Sequence, residues 1–211
     1  MIKIQEDAML LDHADCKVGK RLVLIGGLPG TGKTYIGREI APKIGAFIDK
    51  DTVSGLASEY MLEKLGSHKN DRESDLYKNS IRSIEYQTMM DIAYENIEIG
   101  IDVVCAAPFA KEFRNKLWLD DLACRAKIDT KIFKVWVTAD ESTMKRRIIE
   151  RNARRDDWKL LNWSAYLGSV PHDHPSIKDV FVIDNSDLTS TPLSKQLAIL
   201  LGNMGVIHDA G

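Results

Sequence analysis

Residues 21–34 read RLVLIGGLPGTGKT, an apolar run typical of a buried strand followed by a glycine-rich segment. From Gly27 onward the stretch satisfies the spacing G-x-x-x-x-G-K-[ST]. Gly27, Gly30 and Gly32 permit positive φ angles, so the backbone can come close to an anion. The amides of such a loop point inward and line a nest the size of a phosphate group. The pattern therefore predicts a strand, a phosphate-binding loop and a helix, in that order.

Two side chains at the end of the stretch add a charge and a metal ligand. Lys33 places an ammonium group where β- and γ-phosphates would bind, and the Thr34 hydroxyl can hold Mg²⁺. A helix that begins near Lys33 adds the positive end of its dipole. We therefore predict a nucleotide-phosphate site; the alternative is a glycine-rich turn that binds nothing. The residues of the predicted site are Gly27, Leu28, Pro29, Gly30, Thr31, Gly32, Lys33 and Thr34.

The composition is that of an ordinary globular domain. The chain has 211 residues, of which 44% are hydrophobic and 28% are charged. We interpret residues 1–211 as a single domain, because a chain of this length can bury one sizeable core. The net charge of −2 does not favour a nucleic-acid partner, although a local basic patch would be compatible with it. The sequence does not specify an oligomeric state.

Nothing in the sequence indicates a membrane or a secreted protein. No apolar run reaches the roughly 18 residues that a membrane span needs. Acidic residues interrupt the first segment where a signal peptide would need an apolar core. Cys16, Cys105 and Cys124 are odd in number and far apart, which fits neither a disulfide framework nor a zinc site. We expect a cytoplasmic protein with no membrane partner, and we expect Cys105 in the core.

Five apolar segments of strand type alternate with helical patterns. Strands are predicted at 21–26, 46–51, 101–107, 131–138 and 179–184. Helices are predicted at 34–44, 79–99, 111–126, 140–151 and 191–201, with helical fragments over 52–78 and with Pro42 kinking or ending the first helix. This alternation predicts an α/β fold with a five-stranded parallel sheet and helices on both faces. Ligands of such sheets bind beyond the carboxyl ends of the strands, so the phosphate loop, Asp49, Asp51 and Asn185 should converge there.

Two acids follow the second predicted strand. Asp49 and Asp51 are two residues apart, and in an extended segment both carboxylates would project to the same side. We interpret Asp51 as the base that positions a hydroxyl acceptor and Asp49 as a ligand that holds Mg²⁺ through water. The alternative is that one of them caps a helix that begins at 52–54.

GLPGTGKT followed by IDKDT resembles the small P-loop kinases. These include gluconate and shikimate kinases, chloramphenicol phosphotransferase, the zeta toxins and the kinase half of polynucleotide kinase. The chain most resembles the bacterial predicted AAA-type ATP-binding kinases. Similar sequence blocks occur in that group in the same order: DKDT, then APF at the end of a strand, then VWVTAD, and then a segment like RRDxWKL. Here these blocks run from about residue 21 to residue 187.

The resemblance implies a P-loop NTPase three-layer sandwich that uses ATP and Mg²⁺ and transfers a phosphoryl group to a small hydroxylated acceptor. It also implies that Asp51 occupies the position of the catalytic acid in these kinases. One departure from many P-loop proteins is that the third strand, 103–107, ends without an acid. Gluconate and shikimate kinases also lack that acid, so the departure disfavours a motor ATPase or a GTPase rather than a kinase.

Five arginines fall within residues 146–155, ahead of Asp156. In the small kinases the corresponding segment is a lid that closes over the transferring group, and we predict a lid over about 151–175. Arg151 and Arg155 are expected to act on the phosphoryl group, and Arg147 to bind the nucleotide. The alternative is a solvated helix face with pairs such as Glu150–Arg154.

Acceptor binding is expected from an insertion at about 52–80 and from residues on either side of the third strand. Arg82, Glu85, Tyr86 and Arg114 are the candidates, with a surface ion pair as the alternative for each charged one. Asn185 is expected near the adenine. His172 and His174 form a weak metal-binding pattern that we interpret as part of a polar loop.

The leading hypothesis is an ATP-dependent kinase that phosphorylates a hydroxyl of a sugar, a nucleoside, an antibiotic or a similar molecule. One alternative is a polynucleotide 5′-hydroxyl kinase, which would need a basic groove. The other is an ATP-binding switch that hydrolyses ATP slowly. A switch needs no acceptor base, so the Asp49 and Asp51 pair argues against it.

Overall fold

The computed structural model describes residues 19–126, 129–170 and 179–206. Its centre is a five-stranded, all-parallel sheet with the strand order β2-β3-β1-β4-β5. The strands are β1 (Arg21–Gly27), β2 (Ala46–Asp49), β3 (Val103–Ala106), β4 (Lys131–Thr138) and β5 (Val180–Asp184). The predicted α/β fold with five parallel strands is confirmed.

Helices connect the strands and cover both faces of the sheet. They are α1 (Lys33–Ile44), α2 (Lys50–Lys64), α3 (Arg82–Glu98), α4 (Lys116–Arg125), α5 (Glu141–Arg151), α6 (Asp157–Leu161), α7 (Trp163–Ser169) and α8 (Leu193–Asn203). A π-helical turn (Tyr77–Ile81) leads into α3, and 3₁₀ turns (Glu112–Arg114 and Arg154–Asp156) precede α4 and α6. In the described parts of the chain, no helix has both the length and the apolar character to span a membrane.

The central strand β1 is buried on both sides. Leu22 and Leu24 pack with α3 on one face, while Val23 and Ile25 pack with α1 and α8 on the other. All four side chains are fully buried. Because successive side chains of a strand point to opposite faces, an unbroken apolar run is what a strand covered on both faces requires.

The second strand is shorter than predicted. Expecting an extended segment through Asp51 was wrong, because β2 ends at Asp49 and α2 begins at Lys50. Asp49 is the N-cap of α2, and its Oδ1 accepts hydrogen bonds from the amides of Asp51 and Thr52. The alternative that one acid caps a helix therefore holds for Asp49, although the helix begins earlier than expected.

Three further boundaries differ from the predicted ones. Residues 50–64 form one continuous helix instead of fragments, and Gly55 lies inside it. Pro42 does not interrupt α1, which continues to Ile44. The helix predicted at 111–126 is divided, because Asn115 caps a new helix by accepting a hydrogen bond from the amide of Trp118. The C-terminal part of the predicted lid, with His172 and His174, lies outside the described residues, as do residues 1–18 with Cys16.

Candidate active site

A cavity of about 850 Å³ lies at the carboxyl ends of the strands. This volume is within the range of roughly 300–1,000 Å³ that is usual for small-molecule sites. Four parts of the chain line it: the loop after β1, the start of α2, residues 72–82 together with 106–111, and the segment from α5 to α7. The sheet topology accounts for this convergence, because parallel strands bring the loops that follow them to the same edge.

Glycines give the loop after β1 its shape. Gly27, Gly30 and Gly32 have φ angles of 147°, 82° and 96°, a region that other residues rarely adopt. At Gly30 a Cβ would lie 2.6 Å from the carbonyl oxygen of Met144, and at Gly32 it would lie 2.3 Å from Nδ2 of Asn185. The positive φ angles expected from the sequence are present, and the loop is also packed too closely from behind to accept a side chain at these positions.

Side chains behind the loop hold it in place. Asn185 donates from Nδ2 to the carbonyl oxygen of Thr31 over 2.8 Å, and its side chain is buried. The hydroxyl of Thr31 donates to the carbonyl oxygen of Leu28 over 2.8 Å. The amide of Gly27 donates to the carbonyl oxygen of Pro108, which joins the loop to the turn after β3. Asn185, expected near the adenine, is thus placed as a brace for the loop and is not among the residues that line the cavity.

Lys33 and Thr34 face the cavity from the first turn of α1. Nζ of Lys33 donates to the carbonyl oxygen of Leu28 over 2.9 Å. Burial lowers the pKa of Lys33 to about 8, and the charge of Asp51 opposes this shift. The Thr34 hydroxyl donates to Oδ2 of Asp49 over 2.7 Å. Asp49 therefore caps α2 with one oxygen and contacts Thr34 with the other.

The donor set beside the loop suits Mg²⁺ bound together with phosphates. In 19–126, 129–170 and 179–206 there is no group of three or more His, Cys, Asp or Glu side chains that could hold a metal ion by itself. Thr34 and Asp49 offer two adjacent oxygen ligands. Mg²⁺ usually takes one or two protein oxygens and completes its shell with water and substrate phosphates, so this pair fits it.

The carboxylate of Asp51 lies between two cations. Its Oδ1 is 3.1 Å from Nζ of Lys50 and its Oδ2 is 3.0 Å from a terminal nitrogen of Arg155. Burial alone would raise the pKa of Asp51, but these two charges outweigh it and lower the pKa to about 2. The side chain is still 46% exposed and lines the cavity. Asp51 is thus a charged carboxylate that a ligand in the cavity can reach.

A buried ion-pair cluster lies behind Asp51, and sequence reasoning missed it. Its centre is Glu85 of α3, whose side chain is only 1% exposed. The carboxylate of Glu85 accepts hydrogen bonds from Lys50, Ser58, Arg72 and Tyr77. Burial would lower the pKa of Lys50, but the carboxylates around it outweigh this and raise it. The sequence marked Glu85 as a possible acceptor contact, but Glu85 does not line the cavity, and no local pattern predicts its burial or its partners.

The arginines of α5 and the following turn divide into two groups. Arg147, Arg151 and Arg155 line the cavity. Arg147 approaches the carbonyl oxygen of Thr31 at 3.5 Å and pairs with Asp187 at 3.0 Å. Arg151 pairs with the buried carboxylate of Asp156. Arg146 pairs instead with Glu150 and Asp187 on the outside, so the exposed pair predicted for Glu150 forms with Arg146.

Lys159 joins this segment to the predicted acceptor-binding insertion. Its Nζ lies 3.2 Å from Glu73 and 3.6 Å from Asp156, and its side chain is 9% exposed. Arg155, one helical turn earlier, reaches Asp51 at the start of α2. The segment from α5 to α7 is therefore held over the cavity by ion pairs to two other parts of the chain. The sequence offered no signal for Lys159 or Glu73.

The other three predicted acceptor-binding residues have different surroundings. Arg82 lines the cavity and makes two hydrogen bonds, of 2.6 and 2.9 Å, to the carboxylate of Glu112. Tyr86 is buried in the core, where its hydroxyl accepts a hydrogen bond from the amide of Phe109. Arg114 lies outside the lining, donates to the carbonyl oxygen of Ala110, and stacks 5.7 Å from the Trp136 ring. Of the three, the structure brings only Arg82 to the cavity.

Cys105 belongs to β3 and is fully buried. Burial raises the pKa of its thiol to about 12, so the side chain is a core residue, as predicted.

Comparison with known proteins is consistent with this geometry. The family model described as AAA domain matches residues 22–169. No curated protein sequence matches the chain. Among solved structures, a sugar kinase from Janibacter sp. HTCC2649 is 15% identical with a TM-score of 0.56, over 89% of this chain and 95% of that one.

Two further solved structures are similar over most of their length. A gluconokinase from Sinorhizobium meliloti 1021 is 18% identical with a TM-score of 0.51, over 89% of this chain and 92% of that one. An APS kinase from Mycobacterium tuberculosis, solved in complex with AMPPNP and APS, is 18% identical with a TM-score of 0.53, over 89% of this chain and 98% of that one. The chain therefore belongs to the AAA domain family and shares its P-loop fold with these kinases.

Proposed function

We propose that this protein is an ATP-dependent kinase that transfers the γ-phosphoryl group to a hydroxyl of a small molecule. The observation that carries the proposal is the position of Asp51. Its carboxylate faces the same cavity as Lys33 and is held charged by Lys50 and Arg155. The fold supports the proposal, because similar structures are described as a sugar kinase, a gluconokinase and an APS kinase.

The donor phosphates would bind at the loop after β1. The loop amides and the N-terminus of α1 offer hydrogen-bond donors to an anion. Lys33, Arg147 and Arg151 line the cavity beside this loop and would offset the charge of the transferring group. Thr34 and Asp49 would hold Mg²⁺, which neutralises phosphate charge when bound.

Asp51 would orient the acceptor hydroxyl. In the transfer the hydroxyl oxygen forms a bond to the γ-phosphorus, the bond from that phosphorus to the β–γ bridging oxygen breaks, and ADP leaves. The proton of the hydroxyl passes to the Asp51 carboxylate. A carboxylate with a pKa near 2 is a weak base, which suits a loose transition state in which the acceptor oxygen gains little positive charge before the proton moves.

The segment from α5 to α7 would exclude water from this reaction. Its contacts with Asp51 and Glu73 hold it over the cavity. Excluding water favours transfer to the acceptor over hydrolysis of ATP. An ATP-binding switch would have no use for a charged acid beside the acceptor space, so we favour the kinase.

The test is a screen for phosphorylated products. The protein is incubated with Mg-ATP and, one class at a time, sugars, nucleosides, aminoglycosides and oligonucleotides with a 5′-hydroxyl, and each acceptor is examined by mass spectrometry for a gained phosphoryl group. A small-molecule product that is absent with Lys33→Ala supports the proposal. Phosphate on oligonucleotides alone would point to a polynucleotide kinase. Steady hydrolysis of ATP with no phosphorylated acceptor would contradict any kinase function.

A further inference from the structure

The cavity is far more basic than the rest of the molecule. Ten basic and four acidic side chains line it, whereas the whole chain has a net charge of −2. Lys33, Arg147 and Arg151 lie beside the phosphate loop, and bound ATP would account for their charge. Seven further basic side chains line the cavity, and two carboxylates behind the lining, Glu85 and Glu112, pair with three of them.

Three of the basic lining residues lie on two segments of the chain that an ion pair joins. Lys78 and Arg82 lie four residues apart at the start of α3, and both line the cavity. Lys111 lines it from the turn after β3. The two hydrogen bonds between Arg82 and Glu112 tie α3 to that turn, and Lys111 directly precedes Glu112 in the chain. We call these three residues, Lys78, Arg82 and Lys111, the basic corner.

Glu73 and Glu112 compensate only part of the positive charge of this corner. Glu73 is shared between Lys78, at 3.1 Å, and Lys159, at 3.2 Å. Within the described parts of the chain, no carboxylate forms an ion pair with Lys111. Arg82 uses two N–H groups on Glu112, and a guanidinium has five. The corner therefore has both uncompensated positive charge and free hydrogen-bond donors.

We propose that the acceptor is a small hydroxyl compound that also carries a carboxylate or phosphate group, and that the basic corner binds this anion. The inference rests on the proposed kinase function for the hydroxyl and goes further by naming the charge of the acceptor. Lys78 and Lys111 are exposed to the solvent of the cavity, and an anionic ligand would be attracted to their charge and to that of Arg82. Charge-assisted hydrogen bonds from Arg82 and Lys111 would fix the acceptor with its hydroxyl toward Asp51.

The size of the cavity limits the acceptor to a small molecule. The volume of about 850 Å³ has to hold the nucleotide phosphates as well as the acceptor. A compound the size of a sugar acid or a sugar phosphate is compatible with the remaining space.

Matched acceptor pairs test the proposal. Each pair shares its hydroxyl groups and differs in the anion: D-gluconate with D-glucitol, D-glycerate with glycerol, and D-glucose 6-phosphate with D-glucose. We expect kcat/KM to be at least about tenfold higher for the anionic member of an accepted pair, since a hydrogen bond to a charged group is worth that much. The first two pairs test a carboxylate and the third tests a phosphate.

Lys111→Gln tests the corner itself. We expect it to raise KM for the anionic acceptor by about tenfold or more, with KM for ATP unchanged. Lys195→Gln is the matched control, because Lys195 is an exposed residue of α8 that does not line the cavity. Thermal melting of both variants verifies that they fold.

Calorimetry gives a readout that does not need turnover. Gluconate and glucose 6-phosphate are titrated into the protein with AMPPNP and Mg²⁺, and we expect binding of one of them that Lys111→Gln weakens. Absence of binding for both anions, equal kcat/KM within every accepted pair, or an unchanged KM in Lys111→Gln would overturn the proposal. Equal kcat/KM for the neutral and anionic members of a pair would leave the proposed kinase function intact. Binding of an anion without any phosphorylated product would support the basic corner and contradict the kinase function.

Discussion

The donor half of the cavity, residues 27–34 with Asp49, is built from backbone groups, whereas the acceptor half is built from charged side chains. The donor half depends on three positive φ angles, which are typical of loops whose amides bind a phosphate. The acceptor half consists of Asp51, the ion-pair cluster around Glu85, the basic corner and the ion pairs of Lys159. Ion pairs there join segments that are far apart in the sequence, such as Lys50 and Glu85, which are 35 residues apart.

The two halves of the cavity should be sensitive to different kinds of substitution. A backbone site fails when a side chain blocks its conformation, and its dependence on charge is concentrated in one residue, Lys33. A site built from ion pairs is less sensitive to the backbone conformation. It is sensitive to the loss of one partner, because the other partner is then buried without its counter-charge. Substitutions can therefore impair one half of the cavity and leave the other intact. Four such tests are given below, in order of decreasing expected effect.

Asp51→Asn should abolish the function of the acceptor half and leave the donor half working. We expect the rate of phosphoryl transfer to fall by about 10²–10⁴, because the amide cannot take the acceptor proton. ATP affinity, measured by calorimetry, should be retained. Asp75→Asn is the control, since Asp75 is exposed and does not line the cavity. Undiminished transfer in Asp51→Asn would show that Asp51 is not the acceptor base.

Glu85→Gln should destabilise the fold without changing nucleotide binding by the folded protein. The substitution leaves Arg72 buried without a carboxylate and leaves Lys50 with Asp51 alone, which we expect to lower the free energy of unfolding by about 3–5 kcal/mol. Urea denaturation measures this loss, and Glu95→Gln, an exposed position on the same helix, should be close to neutral. A loss of less than about 1 kcal/mol would mean that the cluster contributes little to stability.

Gly32→Ala and Gly55→Ala should shift stability in opposite directions. Gly32 has a φ of 96° and its Cβ would meet Asn185, so we expect the free energy of unfolding to fall by about 1–2 kcal/mol. Gly55 lies inside α2 with open space around it, and alanine there should raise the free energy of unfolding by about 0.5–1 kcal/mol. Equal effects in denaturant titrations would contradict the role given to the backbone of the loop.

ATP affinity should depend on pH through Lys33. In the free protein Lys33 loses its proton near pH 8, because burial disfavours its charge, whereas phosphate binds the charged form. We expect ATP affinity to be constant below pH 8 and to fall by at most about tenfold per pH unit above it. Lys33→Arg, which keeps its charge, should bind ATP without this dependence between pH 8 and pH 10. A flat profile in the unmodified protein would contradict the lowered pKa.

Local sequence patterns were enough for the sheet and the loop. The apolar segments predicted five parallel strands, and the structure has them. The error at β2 came from Asp49, because a residue that caps a helix is itself extended and continues the pattern of the strand before it. Helical spacing also placed Arg82 and Tyr86 together, but it does not distinguish a residue that faces the cavity from one that enters the core.

The sequence by itself determined the donor half of this protein. Its glycines, Lys33 and Thr34 are neighbours in the chain, and their spacing alone predicts the loop that we propose binds phosphate. Only the tertiary structure decided the acceptor half. Asp51 obtains its charge state from Lys50 and Arg155, and Lys50 in turn is held by Glu85. These contacts exist because the sheet brings distant segments to one edge, and ion pairs between distant residues leave no spacing in the sequence from which they could be predicted.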